Sequence, residues 1–191
     1  PNKIPKLFYR NLDLILKTGK VGLFQLRLKY YSSKKKNHIG RKIKEICKKN
    51  KVIFLVNDDP FLASELDADG CHLGQKDMKI KKARKIIGKK IIGITCHNSI
   101  KLAKQAVYEG ANYLAFGAFY SSRTKKTTHV ASPEILKKVK KFTKTQIVAI
   151  GGINYDNYKN LLLNNVNFLA ISGYIWKNKK YKPLEAIKKL K

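Results

Sequence analysis

The chain has 191 residues, 43 % of them hydrophobic, which suits one folded domain over residues 1–191 and excludes a disordered chain. No apolar run approaches the ~18 residues of a membrane span and the N-terminus has no signal-peptide pattern, so the expected compartment is the cytoplasm, with no membrane partner. The net charge of +30 invites a nucleic-acid reading, but only five of the 42 cations are Arg and the Lys residues run through every amphipathic segment, so solvated faces are expected and nucleic acid is not expected as the main partner.

In chain order, residues 1–20 read as a loop and a helix (LDLILKTG). Seven short apolar runs follow, at 22–27 (GLFQLR), 52–57 (VIFLVN), 70–73 (GCHL), 91–95 (IIGIT), 113–118 (YLAFGA), 147–151 (IVAIG) and 167–172 (NFLAIS). They are rich in branched and aromatic residues and mostly do not alternate, as expected of strands covered on both faces. Helical patterns lie between them. In 99–109, Ser99 suits the N-cap, Ile100, Ala103 and Val107 give an apolar stripe, and Gly110 stops the helix. In 133–142, Pro133 suits the first turn and Glu134 faces the positive end of the helix dipole; 183–190 repeats that design.

Strand–helix alternation at about 20–30 residues per unit predicts parallel strands joined by right-handed crossovers. The fold class is α/β, a (β/α)₈ barrel. Such a barrel has eight strands and seven are visible, so the first strand is expected before Pro1. A doubly wound open sheet is the alternative, but the first βα turns lack G-x-G-x-x-G. Cys47, Cys71 and Cys96 are widely spaced with no C-x-x-C, which predicts buried reduced thiols.

Barrels of this kind carry their site at the C-terminal ends of the strands. The polar residues there are, strand by strand, Gln25, Arg27 and Lys29; Asn57 and Asp58; Gly74, Gln75 and Asp77; Thr95 and His97; Ser121 to Lys126; Gly151 and Gly152; and Ser172 and Gly173. Asp58 and Asp77 end neighbouring strands, which lie about 4.8 Å apart, so both carboxylates can face one point. Mg²⁺ is typically held by one or two carboxylates plus phosphate oxygens. Arg27, Lys29 and Lys125 can neutralise a polyphosphate. Backbone N–H groups at the glycine pair and at Ser172–Gly173 suit a second phosphate. Asp58 could instead be an N-cap beside Asp59 and Pro60, the cations could be solvated, and the glycines could serve a tight turn. His72 is expected in the core, His38 and His129 at the surface or in loops, and His97 near the strand end. Residues 57–78 hold six of the twelve acids. Asp59 fits a helix start, while Glu65, Asp67 and Asp69 are expected on solvated faces.

The segments FQLRLK (24–29), FLVNDDPFLASELDADGCHLGQKDM (54–78), IIGITCH (91–97), FGAFYSSRTKK (116–126) and IVAIGGI (147–153) carry a resemblance to the thiamine-phosphate synthase family, from about Asp13 to Ile175. The resemblance implies a (β/α)₈ barrel that joins a hydroxymethylpyrimidine diphosphate to a thiazole phosphate with Mg²⁺ and releases pyrophosphate. It implies that Gln25, Arg27 and Lys29 bind the pyrimidine diphosphate, Asn57 holds the pyrimidine, and Asp58 and Asp77 ligate Mg²⁺. Thr95 supplies the hydroxyl that the family usually takes from Ser. Ser122, Arg123, Thr124 and Lys125 match the T-x-T-K loop, with Lys125 on the diphosphate. Gly152 and the Ser172–Gly173 backbone hold the thiazole phosphate. Lys29, Lys125 and Thr95 are the expected catalytic residues. The chain departs from the family pattern at Leu28 (usually Glu), at Ala118 and Ser121 (usually Pro), and around residues 164–173. The expected partners are small phosphorylated substrates, and a homo-oligomer stays open. The competing readings are a thiazole tautomerase-like relative of the same fold and a basic nucleic-acid-binding protein. The first uses neither Mg²⁺ nor a diphosphate, and the second gives no reason for paired acids.

Overall fold

The computed structural model describes residues 4–121 and 129–190. Seven strands alternate with helices, and all the strand pairs below are parallel. The chain divides into two compact units.

The first unit comprises residues up to Leu73 together with Asp77–Ile91. It holds α1 (Lys6–Leu16), β1 (Leu23–Leu26), α2 (Ser33–Lys49), β2 (Ile53–Asn57), α3 (Pro60–Glu65), β3 (Gly70–Leu73) and α4 (Ile80–Ile87). β1 pairs with β2 and β2 with β3, Asn57 lying opposite His72. Phe54, Leu55 and Val56 are consecutive and all buried, so β2 is covered on both faces. The 17-residue α2, which no sequence signal above had singled out, buries Ile39, Ile43 and Cys47 at a spacing of four. α4 was likewise missed; it buries Ile80, Ala83 and Ile87.

The second unit comprises Gly74–Lys76 and residues from Ile92 on. It holds β4 (Ile91–His97), α5 (Ile100–Tyr108), β5 (Tyr113–Gly117), α6 (Pro133–Lys140), β6 (Gln146–Ile150), α7 (Tyr158–Leu163), β7 (Phe168–Ala170), α8 (Gly173–Trp176) and α9 (Pro183–Lys189). β4 pairs with β5, β5 with β6 and β6 with β7. Every residue of β5 is buried. The Ser99 hydroxyl accepts from Leu102 N–H at 3.2 Å, the expected cap of α5.

In both units strand order follows chain order, the topology of a (β/α)₈ barrel with seven of its strands present. No strand precedes α1 among the described residues. Nor, among them, is any helix long and apolar enough to cross a membrane. The three cysteines are buried free thiols, and burial is the main cause that pushes each up to about 12, so they are inert at neutral pH.

One hydrogen-bonding device recurs at the strand starts. Asp69, just before β3, donates its N–H to Phe54 O (2.9 Å) and accepts Phe54 N–H on its carboxylate (2.7 Å). Asn112, before β5, does the same with Ile92 (2.8 and 2.9 Å). Asn167, before β7, repeats it with Ile147 (2.9 and 2.8 Å). In each case a short polar side chain closes the first rung of a parallel pair, where the backbone N–H has no ladder partner. Asp69 is exposed, as expected from its position, and in addition closes this rung. Asp67 also has partners: Lys44 at 3.1 Å and Lys90, which hold its carboxyl down at about 2.

Asp59 is the N-cap of α3, its Oδ1 accepting Leu62 N–H at 3.0 Å with Pro60 opening the helix. Removing this cap by Asp59→Ala is expected to lower stability by about 1 kcal/mol, read from urea unfolding. An unchanged midpoint would show that Pro60 alone suffices to start the helix.

Candidate active site

The first unit brings four of the expected residues to one electrostatic centre. Asp58 follows β2 and extends it by one bond, its N–H donating to His72 O at 2.8 Å. Its φ is +66°, the left-handed region that costs most side chains strain but that Asp and Asn tolerate best. This turn separates Asp58 from its neighbour: Asp59 caps α3, while the Asp58 carboxyl hydrogen-bonds with that of Asp77. The capping alternative for Asp58 is thus excluded by geometry.

Burial is the main cause that raises the Asp58 pKa, followed by the hydrogen bond and negative charge of Asp77; Lys29 and then Arg27 oppose the rise. Two carboxyls in hydrogen-bond contact need a proton or a cation between them. Arg27 and Lys29 are exposed, just beyond β1, and Gln25 is half-buried within it. Leu28, where the family carries an acid, is half-buried between the two cations. Among the described residues no group of three His, Cys, Asp or Glu side chains could hold a metal. The donor set is two carboxylates with cations beside them. It fits Mg²⁺, whose remaining ligands are commonly water and substrate phosphate oxygens, and does not fit an all-protein metal cage.

Asn57, the last residue of β2, and Asp77, four residues past β3, are both half-buried. His72 is 7 % exposed inside β3, as expected of a core histidine.

In the second unit, Thr95 lies near the end of β4, where the pairing with β5 shifts between Thr95 and His97. Its carbonyl accepts Gln75 Nε2–H at 2.6 Å. Gln75 stood among the strand-end residues without a role, and this bond gives it one: it ties the turn at 74–76 to β4. His97 has φ +53° and its ring lies 4.1 Å from that of His129, tilted by 34°. The chain at His129 is pinned beside Ala118, whose N–H donates to His129 O (3.1 Å) and whose carbonyl accepts Ala131 N–H (2.8 Å). The sequence placed His97 near the strand end, but its pairing with His129 was not legible there. Ser122, Arg123, Thr124 and Lys125 lie outside the described residues.

The glycine pair forms a close backbone turn. Gly152 has φ +64°, and a Cβ there would lie 2.3 Å from Ser121 O. The Gly151 carbonyl accepts Tyr120 N–H (3.1 Å) and the Gly152 carbonyl accepts Asn157 Nδ2–H (3.1 Å). Ser172 is exposed, and its carbonyl accepts the N–H groups of Ile175 (3.1 Å) and Trp176 (2.9 Å) at the start of the four-residue α8. The next residue but one, Tyr174, holds its hydroxyl buried with no hydrogen-bond partner among the described residues.

The sequence profile of the thiamine monophosphate synthase family matches residues 2–175. The chain belongs to this family. It is a transferase of thiamine biosynthesis. It is 64 % identical to the thiamine-phosphate synthase of Pelagibacter ubique over 192 aligned residues, which cover 100 % of this chain and 93 % of that protein. The thiamine-phosphate synthase of Erythrobacter litoralis is 40 % identical, over 88 % of this chain and 82 % of its own length. Among solved structures, the thiamine phosphate pyrophosphorylase of Pyrococcus furiosus superposes with a TM-score of 0.87 at 28 % identity, covering 97 % of this chain and 87 % of that one. A 3-hexulose-6-phosphate synthase superposes with a TM-score of 0.64 at 13 % identity, over 95 % of this chain and 92 % of that one, a likeness of fold alone. Asp58 and Asp77 are turned toward each other, whereas Asp59 caps α3, Asp69 bonds Phe54 N–H and Asp67 pairs with Lys90 and Lys44.

Proposed function

We propose that this chain joins 4-amino-2-methyl-5-hydroxymethylpyrimidine diphosphate to 4-methyl-5-hydroxyethylthiazole phosphate, giving thiamine phosphate and pyrophosphate. The observation that carries this reading is the Asp58–Asp77 carboxyl pair under the influence of Lys29 and Arg27. A basic nucleic-acid-binding surface has no use for such a pair, and a proton-transferring tautomerase has no diphosphate to neutralise.

In this reading Gln25, Arg27 and Lys29 bind the diphosphate, Asn57 holds the pyrimidine, and Ser122, Arg123, Thr124 and Lys125 are substrate-binding residues, with Lys125 on the diphosphate. Asp58 and Asp77 hold Mg²⁺, whose chemistry is to neutralise charge on the diphosphate. Gly152 and the Ser172–Gly173 backbone hold the thiazole phosphate. The methylene C–O bond breaks first, and its electron pair leaves with pyrophosphate. The electron-rich aminopyrimidine carries the resulting cation at the methylene carbon. The lone pair of the thiazole nitrogen then forms the new C–N bond. Lys29, Lys125 and Arg27 stabilise the departing charge, and Thr95 orients the pyrimidine through its hydroxyl. No side-chain nucleophile takes part, so positioning and charge neutralisation carry the rate. We place the enzyme in the cytoplasm as a single barrel domain acting on small phosphorylated substrates.

The test is formation of thiamine phosphate from the two purified precursors, with Mg²⁺ or with a chelator. Product is expected only with Mg²⁺. Equal product in both arms, or none in either, would overturn the reading.

A further inference from the structure

We infer that Lys189, near the end of α9, is a positioning residue: its ammonium, seated against Tyr155 and Tyr181, holds the turn that carries Gly152. The inference rests on the reading that this turn binds the thiazole phosphate.

Lys189 Nζ lies 4.6 Å from the Tyr181 ring centroid and 5.9 Å from that of Tyr155. Both distances are within the reach of a cation–π attraction. The two rings come from different turns. Tyr155 is three residues past Gly152, in the β6–α7 turn, and Tyr181 is in the α8–α9 turn, eight residues past Gly173. One ammonium therefore couples the β6–α7 turn, to which the phosphate is assigned, to the α8–α9 turn.

Each turn is already closed on its own. Asn157 accepts Asn154 N–H (2.8 Å) and donates to Gly152 O (3.1 Å), and Tyr120 Oη donates to Asn157 O (3.1 Å). Asn178 Oδ1 accepts the N–H groups of Lys180 (2.8 Å) and Tyr181 (3.0 Å). What these bonds do not do is join one turn to the other. Tyr174, whose buried hydroxyl has no hydrogen-bond partner among the described residues, feels Tyr181, Asp156 and Tyr155, so it belongs to the same cluster. Lys180 adds a second cation over Tyr181 at 5.5 Å. Tyr181 and Lys189 lie beyond the residues 2–175 that the family profile matches. Tyr155 is 46 % exposed, which keeps the attraction at the weak end of its range.

The test compares Lys189→Met, which keeps an apolar stem without charge, with Lys189→Arg, which keeps the cation. Lys189→Met is expected to raise KM for the thiazole phosphate about two- to five-fold, with kcat and KM for the pyrimidine diphosphate unchanged. Lys189→Arg is expected to restore it. A double-mutant cycle with Tyr181→Leu, read by thermal unfolding, is expected to show coupling between the two residues. The inference is overturned if Lys189→Met leaves both KM values alone or raises both equally, or if Lys189→Arg behaves like Lys189→Met. If the wild type makes no thiamine phosphate, the functional reading fails by itself. The seat is then judged by the stability cycle, where zero coupling overturns it.

Discussion

Asp58→Asn is expected to lower the rate of thiamine phosphate formation by about 10²–10³-fold without unfolding the chain, a loss comparable to removing one preorganised electrostatic group. Asparagine is the informative replacement. It tolerates the φ of +66° that Asp58 adopts, and it keeps the side-chain size while removing the charge. The Asp58 carboxyl is half-buried against Asp77, so its replacement also relieves a like-charge contact. The variant's thermal midpoint in metal-free buffer should equal or exceed that of the wild type, which separates a lost ligand from a lost fold. Added Mg²⁺ should stabilise the wild type more than the variant, since a ligand that binds only the folded state raises its midpoint. A rate within ten-fold of wild type at saturating Mg²⁺ would remove Asp58 from the metal site.

Gly152→Ala is expected to lower stability by about 2–4 kcal/mol, a left-handed residue with a Cβ adding to overpacking against backbone. The added Cβ would lie 2.3 Å from Ser121 O and 2.7 Å from the Tyr120 carbonyl, and backbone cannot swing aside as a side chain can. The turn must shift, so KM for the thiazole phosphate should rise by more than ten-fold while KM for the pyrimidine diphosphate changes little. Gly110→Ala is the control. Gly110 also has a positive φ, +85°, but nothing lies within 4 Å of its would-be Cβ. It should cost only the conformational part, about 1 kcal/mol. Equal losses at both glycines, measured by denaturant unfolding, would show that contact at Gly152 is unimportant.

Much of the fold was legible because its signals are local. A run such as FLV at 54–56 is apolar without alternation, and that pattern has few outcomes other than a strand covered on both faces. Ser99 and Pro133 marked helix starts because a hydroxyl acceptor and a missing N–H act within one turn. α2 was less legible. Its buried Ile39, Ile43 and Cys47 are diluted by lysines, and the stripe emerges only once a surface exists to bury it.

The acids of residues 57–78 divide the two kinds of information most clearly. From the sequence alone, the order of strand-end residues already set Asp58 and Asp77 on neighbouring strands with Arg27 and Lys29 nearby, because strand order in a parallel α/β fold follows the chain. Helix capping by Asp59 was legible for the same reason as Ser99. Tertiary structure alone decided that Asp58 turns away from that cap through a positive φ to meet Asp77, that Asp69 closes the first rung between β2 and β3, and that Lys189 of α9 reaches Tyr155. Each of those contacts joins residues 15 or more apart, or depends on a backbone angle. Neither residue type nor spacing encodes such a contact, because its energy exists only when the rest of the fold holds both partners in place.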